Sequence, residues 1–190
     1  MKNGNFWLIL EFIILSLIFI PTCVAFITGA PWVPTPTARV KKMLELGRLK
    51  PGDKIFDLGC GDGRIPHLAA KLYGCQAVGL ELSPLVYFWA RVRNFFLRSK
   101  AKFLLRDFRH VDLSSAHTIF FYLLPNVLAA MRPKFERELK PGTRIISYAF
   151  AIEGWTPVFI EPKNPTKNLA RILIYELPTS INANGNEAKK

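Results

Sequence analysis

Apolar residues in this chain fall into one long run followed by many short ones. The long run, "FWLILEFIILSLIFIPTCVAFI" over residues 6–27, is interrupted by Glu11 and broken at Pro21. Phe6 to Thr28, at about 1.5 Å per helical residue, is long enough to span a ~30 Å hydrocarbon core, so it predicts one N-terminal transmembrane helix. "GAPWVPTPT", residues 29–37, has three prolines and no helix or strand period and reads as a stiff linker. From Ala38 a helical pattern leads to the Pro51-Gly52 turn. Strands "KIFDL", "QAVGLEL", "AKFLLRD", "HTIFFYLL" and "TRIISYAF" then alternate with helices "RIPHLAAKLYG", "LVYFWARVRNFFL" and "NVLAAMRPKFEREL". Pro133 is expected to break or restart the last of these helices. "TPVFIE" and "ARILIYEL" read as an antiparallel pair, and "NANGNEAKK" as a frayed end. Alternating strands and helices predict a doubly wound, mostly parallel α/β sheet with an antiparallel C-terminal hairpin. The expected segments are 1–28 anchor, 29–37 linker, 38–178 α/β domain and 179–190 flexible tail.

Composition fits one domain: 190 residues, half of them hydrophobic, can bury a sizeable core and exclude a mainly disordered chain. Residues 1–38 carry only Lys2 and Glu11, so the whole net charge of +12 lies beyond them. A cleaved signal peptide, with "TCVA" as its processing site, is the alternative to an anchor. The positive-inside rule favours the anchor: single-pass in the cytoplasmic (inner) membrane, with the domain on the cytoplasmic side. Cys23, Cys60 and Cys75 form no CxxC pair, and neither a disulfide framework nor a metal site is expected. Residues 91–109 carry seven Lys/Arg against Asp107 alone. With aromatics interleaved, that stretch suits RNA or an anionic bilayer; the expected anchor favours the lipid bilayer over nucleic acid. A monomer is expected.

Parallel sheets bind ligands at the carboxyl ends of their strands, so the residues after each strand matter most. After the first come Asp57, Gly59, Cys60, Gly61 and Gly63, spaced D-x-G-x-G-x-G. Such density of glycine lets backbone approach a ligand closely. A dinucleotide fingerprint wants G-x-G-x-x-G, and here the third glycine comes one residue early. Asp57 also places a carboxylate beside any bound anion, which suits a sulfonium with an ammonium group better than a diphosphate. Glu81 ends the second strand, where a carboxylate can accept from both ribose hydroxyls. Asp107 ends the third; it could accept from an adenine amino group while the Phe108 N–H donates to a ring nitrogen.

These motifs, "DLGCGDG", "GLEL" and "RDF", resemble those of class I S-adenosylmethionine (SAM) methyltransferases, the seven-stranded Rossmann-like enzymes. With "PWVPTPTARV", "DLGCGDGRI", "ELSP" and "GWTP", the chain is similar to the membrane-anchored lysine methyltransferases that act on the ATP synthase c-subunit and the adenine nucleotide translocase. The resemblance implies SAM as cofactor, bound by Asp57, Gly59, Cys60, Gly61, Gly63, Glu81, Asp107 and Phe108. It implies an acceptor site after the fourth strand, at "FYLLPN", where many nucleic-acid amino methyltransferases carry a polar-Pro-Pro-aromatic tetrad that this chain lacks. Tyr122, Pro125 and Asn126 are candidates to position the acceptor, with Trp32 and Trp155 as walls. Core packing is the alternative for Tyr122, helix capping for Asn126, and burial or interface anchoring for the tryptophans. No histidine is placed as a base, and no catalytic side chain is assigned. The expected acceptor is a lysine of an integral membrane protein. The alternatives are a membrane small molecule, such as a quinone or lipid, and a SAM-binding module without turnover.

Overall fold

A computed structural model describes residues 4–27 and 33–182. Helix α1 (Gly4–Ile27) precedes α2 (Thr37–Leu46), and an alternating unit follows: β1 (Lys54–Leu58), α3 (Arg64–Tyr73), β2 (Gln76–Glu81), α4 (Pro84–Phe96), β3 (Lys102–Leu105). The second half comprises β4 (Thr118–Phe121), α5 (Pro125–Glu138), β5 (Arg144–Tyr148), β6 (Phe159–Glu161), β7 (Ile172–Glu176) and the short α6 (Thr179–Asn182). The seven strands form one sheet in the order β3-β2-β1-β4-β5-β7-β6. β1 pairs in parallel with both β2 and β4, while β7 runs antiparallel to β5 and to β6. The strand order reverses beside β1, the position where doubly wound sheets open a crevice at their carboxyl ends.

Each central strand is buried on both faces, which explains why it reads as a short apolar run. Successive residues serve opposite cores. Phe121 joins Phe135 and Leu128 of α5 on one face, whereas Phe120 joins Val40, Met43 and Leu44 of α2 and Ala69 of α3 on the other. The Phe121 and Phe135 rings stack with centroids 5.9 Å apart. Gly74, with φ 68°, closes α3 in the left-handed conformation that suits glycine at a helix end.

Three sequence expectations change. α5 runs through Pro133 to Glu138. The proline removes one N–H donor, and the flanking turns are held by buried Met131 and Phe135 and by the Arg132–Glu136 and Lys134–Glu138 pairs. Residues 179–182 dock on the domain: Ser180 is buried and its hydroxyl accepts from the Glu176 N–H at 3.0 Å. Residues 183–190, and the linker residues up to Trp32, lie outside the described residues. The third change concerns the membrane. α1 is helical, but among the described residues no helix is long and apolar enough to cross a membrane. Within α1, Glu11 places a carboxylate among the apolar residues, and a charge inside hydrocarbon is costly. The expected single-pass anchor, and the cytoplasmic-membrane placement built on it, are therefore corrected.

Candidate active site

The residues Gly59, Gly61 and Gly63 turn the chain from β1 into α3 with φ of 73°, 56° and 74°. A β-carbon at Gly63 would lie 2.4 Å from the Phe103 ring and 2.6 Å from Asn94 Nδ2, so backbone there is pressed against α4 and β3. Buried Asn94 fixes the loop from outside by donating to the carbonyls of Asp62 (3.1 Å) and Ala90 (2.7 Å). From inside, Glu81 does the same. Its carboxylate accepts from the Gly61 N–H at 3.1 Å and from the Leu82 and Ser83 N–H groups at 2.9 Å each.

Three carboxylates, Asp57, Asp62 and Glu81, are buried around this loop. Asp62 is matched by Arg64, whose guanidinium donates to it in bidentate fashion at 2.9 and 2.8 Å, with Arg93 at 3.7 Å. Asp57 and Glu81 have no paired cation among the described residues. Burial, with Glu81 and Asp62 adding repulsion, pushes the Asp57 carboxyl well above the usual carboxylate range. Burial also raises Glu81, against the lowering effect of its three backbone donors. Such a pair favours a ligand that brings positive charge. Cys60 is buried beneath, its sulfur packed where a Gly79 β-carbon would sit at 2.7 Å, and burial raises its thiol well above the ordinary range. It packs; it is no thiolate nucleophile.

The segment before α2 lies over the loop. Val33, Pro34 and Thr35 line the same cavity as Asp57, Gly61 and Glu81, and Arg64 Nη1 donates to the Thr35 carbonyl at 2.8 Å. The space left under this strap is about 40 Å³. Typical small-molecule sites measure roughly 300–1,000 Å³, so the space as it stands is smaller than an adenosine-bearing ligand needs. A second cleft of about 580 Å³ opens on the other side of Val33 and Pro34. Tyr122 lines both clefts. Its ring is edge-on to Tyr148 at 4.9 Å and stacked on Phe150 at 6.1 Å. The outer wall is the loop before β7, with Lys163, Asn164 and Asn168, and among the described residues no carboxylate lines this cleft. Arg39 holds the walls together: buried itself, it donates to the Pro162 carbonyl at 2.8 Å and approaches Glu161 at 3.8 Å.

The structure thus brings Asp57, Gly59, Cys60, Gly61, Glu81 and Tyr122 to one cavity and leaves other candidates apart. Asp107 caps the 3-10 turn Phe108–His110, and Arg109 occupies its carboxylate at 2.7 Å, holding it below the usual range against the desolvation that would raise it. Phe108 is in the core. Pro125 and Asn126 are exposed in the first turn of α5, which Leu124 precedes as cap, so Asn126 is not the cap. Trp155 is buried, its indole N–H donating to Glu136 at 3.1 Å and its ring edge-on to Tyr175; it lines neither cleft. Trp32 lies outside the described residues. Sequence reasoning missed Asp62, Arg64, the strap and the 163–170 loop. The strap's "VPTP" was visible but has no period that marks a site, and the ion pair "DGR" was adjacent to the glycines.

Comparison with known proteins bears on this geometry. Residues 57–159 match the family model described as the ANTKMT methyltransferase domain. The chain is 39% identical over 136 residues to a protein-lysine N-methyltransferase of Saccharolobus islandicus, covering 70% of this chain and 84% of that one. It is 33% identical over 129 residues to the human lysine N-methyltransferase of the ATP synthase c-subunit; the match spans 67% of this chain and about half (54%) of that protein. Among solved structures it is similar to an RNA methyltransferase from Salinibacter ruber in complex with S-adenosyl-L-homocysteine, with TM-score 0.72 and 32% identity, over 77% of this chain and 94% of that one.

Proposed function

From the premise that the chain belongs to the ANTKMT methyltransferase-domain family and is a SAM-dependent methyltransferase, we propose that it methylates a lysine side chain of a protein. The observation that carries this reading is the second cleft, which meets the glycine loop at Tyr122 and has, among the described residues, aromatic and neutral walls, no carboxylate and one cation, Lys163. Free lysine has a pKa near 10.4, so presenting it uncharged at pH 7 costs about 4.6 kcal/mol. A cleft that desolvates the amine and holds a cation nearby lowers that cost, because both effects disfavour the ammonium; a carboxylate would raise it.

The buried acids support a place for the cofactor beside the glycine loop. The Gly59–Gly63 backbone leaves room for close approach, Asp57 receives the positively charged end of the cofactor, and Glu81 holds the Gly61 N–H in position while facing the same cavity. When bound, SAM would supply a sulfonium methyl group for in-line attack by an uncharged amine, the S–CH₃ bond breaking to leave a neutral thioether. Tyr122 positions the acceptor at the junction of the clefts, and closure of Val33–Thr35 excludes water from it. Positioning of this kind contributes several kcal/mol to transfer. Asp107 would join the adenine end after releasing Arg109.

The finer reading is a lysine of an integral membrane protein at the membrane boundary, supported by the name of the human relative, whose substrate belongs to ATP synthase. A second reading is RNA, which the Salinibacter ruber description and the basic stretch 91–109 favour. Against it stand the cleft's walls and the missing polar tetrad after β4. The full chain incubated with radiolabelled SAM and a cell extract, later fractionated into protein, RNA and lipid, tests these readings. Label on lysine residues of membrane proteins is expected. Label confined to RNA, or to lipid or quinone, refutes the lysine assignment, and no label in any fraction supports a silent SAM-binding module.

A further inference from the structure

Helix α4 is apolar on two sides. Its inner side buries Ala90 and Asn94 against Cys60 and Phe103. Its outer side leaves Phe88, Trp89, Phe95 and Phe96 exposed by 67, 54, 79 and 78%. These four fall at the i, i+1, i+7, i+8 spacing of one helical stripe. The stripe borders a cleft of about 790 Å³ that runs towards β3, the edge strand, where Leu104 and Leu105 are also exposed. Adjacent large aromatics at this exposure exceed the scattered apolar residues normal on a protein surface.

Charge identifies what covers them. Residues 82–106 contain six Arg and Lys and no Asp or Glu. Arg93 approaches Asp62; Arg91, Arg98, Lys100, Lys102 and Arg106 have no carboxylate partner among the described residues. Unmatched cations edging exposed Phe and Trp are what an anionic bilayer surface accepts: rings at the headgroup level, cations at the phosphates. A second copy of this chain fits poorly, since isologous pairing would set cations against cations. α1 lies against α4, and its Phe6 and Trp7 are themselves exposed.

We propose that the outer face of α4, with the β3 edge, docks on an anionic lipid bilayer surface. The attachment is peripheral and needs no crossing helix. It is independent of the acceptor's identity.

Sedimentation of the full chain with vesicles tests it, using phosphatidylcholine alone and phosphatidylcholine mixed with phosphatidylglycerol. α1 is kept in every variant, so differences report α4. The combined Phe88→Ser, Phe95→Ser, Phe96→Ser variant is expected to lower partitioning at least about tenfold. Arg98→Gln, Lys100→Gln, Lys102→Gln is expected to weaken binding to the anionic vesicles alone, as added salt does. All six side chains are solvent-facing, and unchanged circular dichroism verifies the fold. Parent-like partitioning of both variants overturns the proposal. So does an aromatic variant that turns a dimer into a monomer by light scattering while vesicle binding is unchanged.

Discussion

The packing behind the glycine loop can be tested with two substitutions that share a backbone conformation and differ in space. Gly59 and Gly63 both have φ near 73°, where an L-residue is strained by roughly 1–2 kcal/mol. A β-carbon at Gly59 would meet only Leu123 Cδ2 at 3.7 Å, an ordinary contact. At Gly63 it would lie 2.4 and 2.8 Å from Phe103 ring atoms and 2.6 Å from Asn94 Nδ2. Neither neighbour can retreat freely, because Phe103 is in the α4 core and Asn94 is held by two carbonyls. Overpacking of this kind costs about 1–3 kcal/mol beyond the strain. Gly59→Ala should therefore destabilise the full chain by about 1 kcal/mol and Gly63→Ala by about 2–4 kcal/mol, each kcal/mol lowering Tm by about 2–4 °C. Urea unfolding measures both. Asparagine separates the two causes, since it tolerates the left-handed region. Gly59→Asn should recover most of its loss, and Gly63→Asn none. Equal costs for the two alanine variants, or recovery with Gly63→Asn, would refute the claim that contact with Phe103 and Asn94 sets the requirement.

Other consequences follow from the buried charges and the walls. Asp57 has a folded pKa raised above its unfolded value, so its contribution to stability is complete below the ordinary carboxylate pKa and is lost as pH rises through the raised one. Asp57→Asn should then raise the neutral-pH Tm while weakening SAM binding by roughly 10- to 150-fold, the equivalent of a charged hydrogen bond; a variant Tm no higher than the parent's at neutral pH would contradict this. For the parent, calorimetry should show SAM affinity falling on acidification through the raised pKa, because the bound cation favours the ionised carboxyl. Glu81→Gln turns an amide N–H₂ towards backbone donors and should cost about 1–3 kcal/mol in stability, read by urea unfolding, as well as cofactor affinity. Tyr122→Ala should raise the acceptor KM more than the cofactor Kd, and the reverse order would place Tyr122 in the cofactor site only. Arg39→Gln should destabilise by about 2–4 kcal/mol and speed amide exchange at Leu169 and Ala170, where the clamp ends.

Much of this architecture is local and so was legible in the sequence. Short apolar runs mark strands buried on two faces, Gly74 and Pro84 mark helix ends, and the D-x-G-x-G-x-G spacing marks a turn that needs positive φ at three positions. Each signal depends on a residue and its near neighbours, which is why β1, α3, β2 and α4 stand where the pattern put them. The family motifs added the cofactor. What only the tertiary structure decided are pairings between distant residues, which no periodicity encodes. Arg64 reaches across 29 positions to the Thr35 carbonyl and turns a proline-rich linker into a strap over the loop. Arg39 reaches across 123 positions to Pro162 and makes the segment before β7 a wall of the second cleft. Long-range contact also divides residues of one type: Trp155 is drawn into the core by Glu136 and Tyr175, while Trp89 is left outside. Asp57 and Asp62 are the same residue type and both buried, yet only Asp62 meets a guanidinium, so only Asp57 is left to face a cationic ligand.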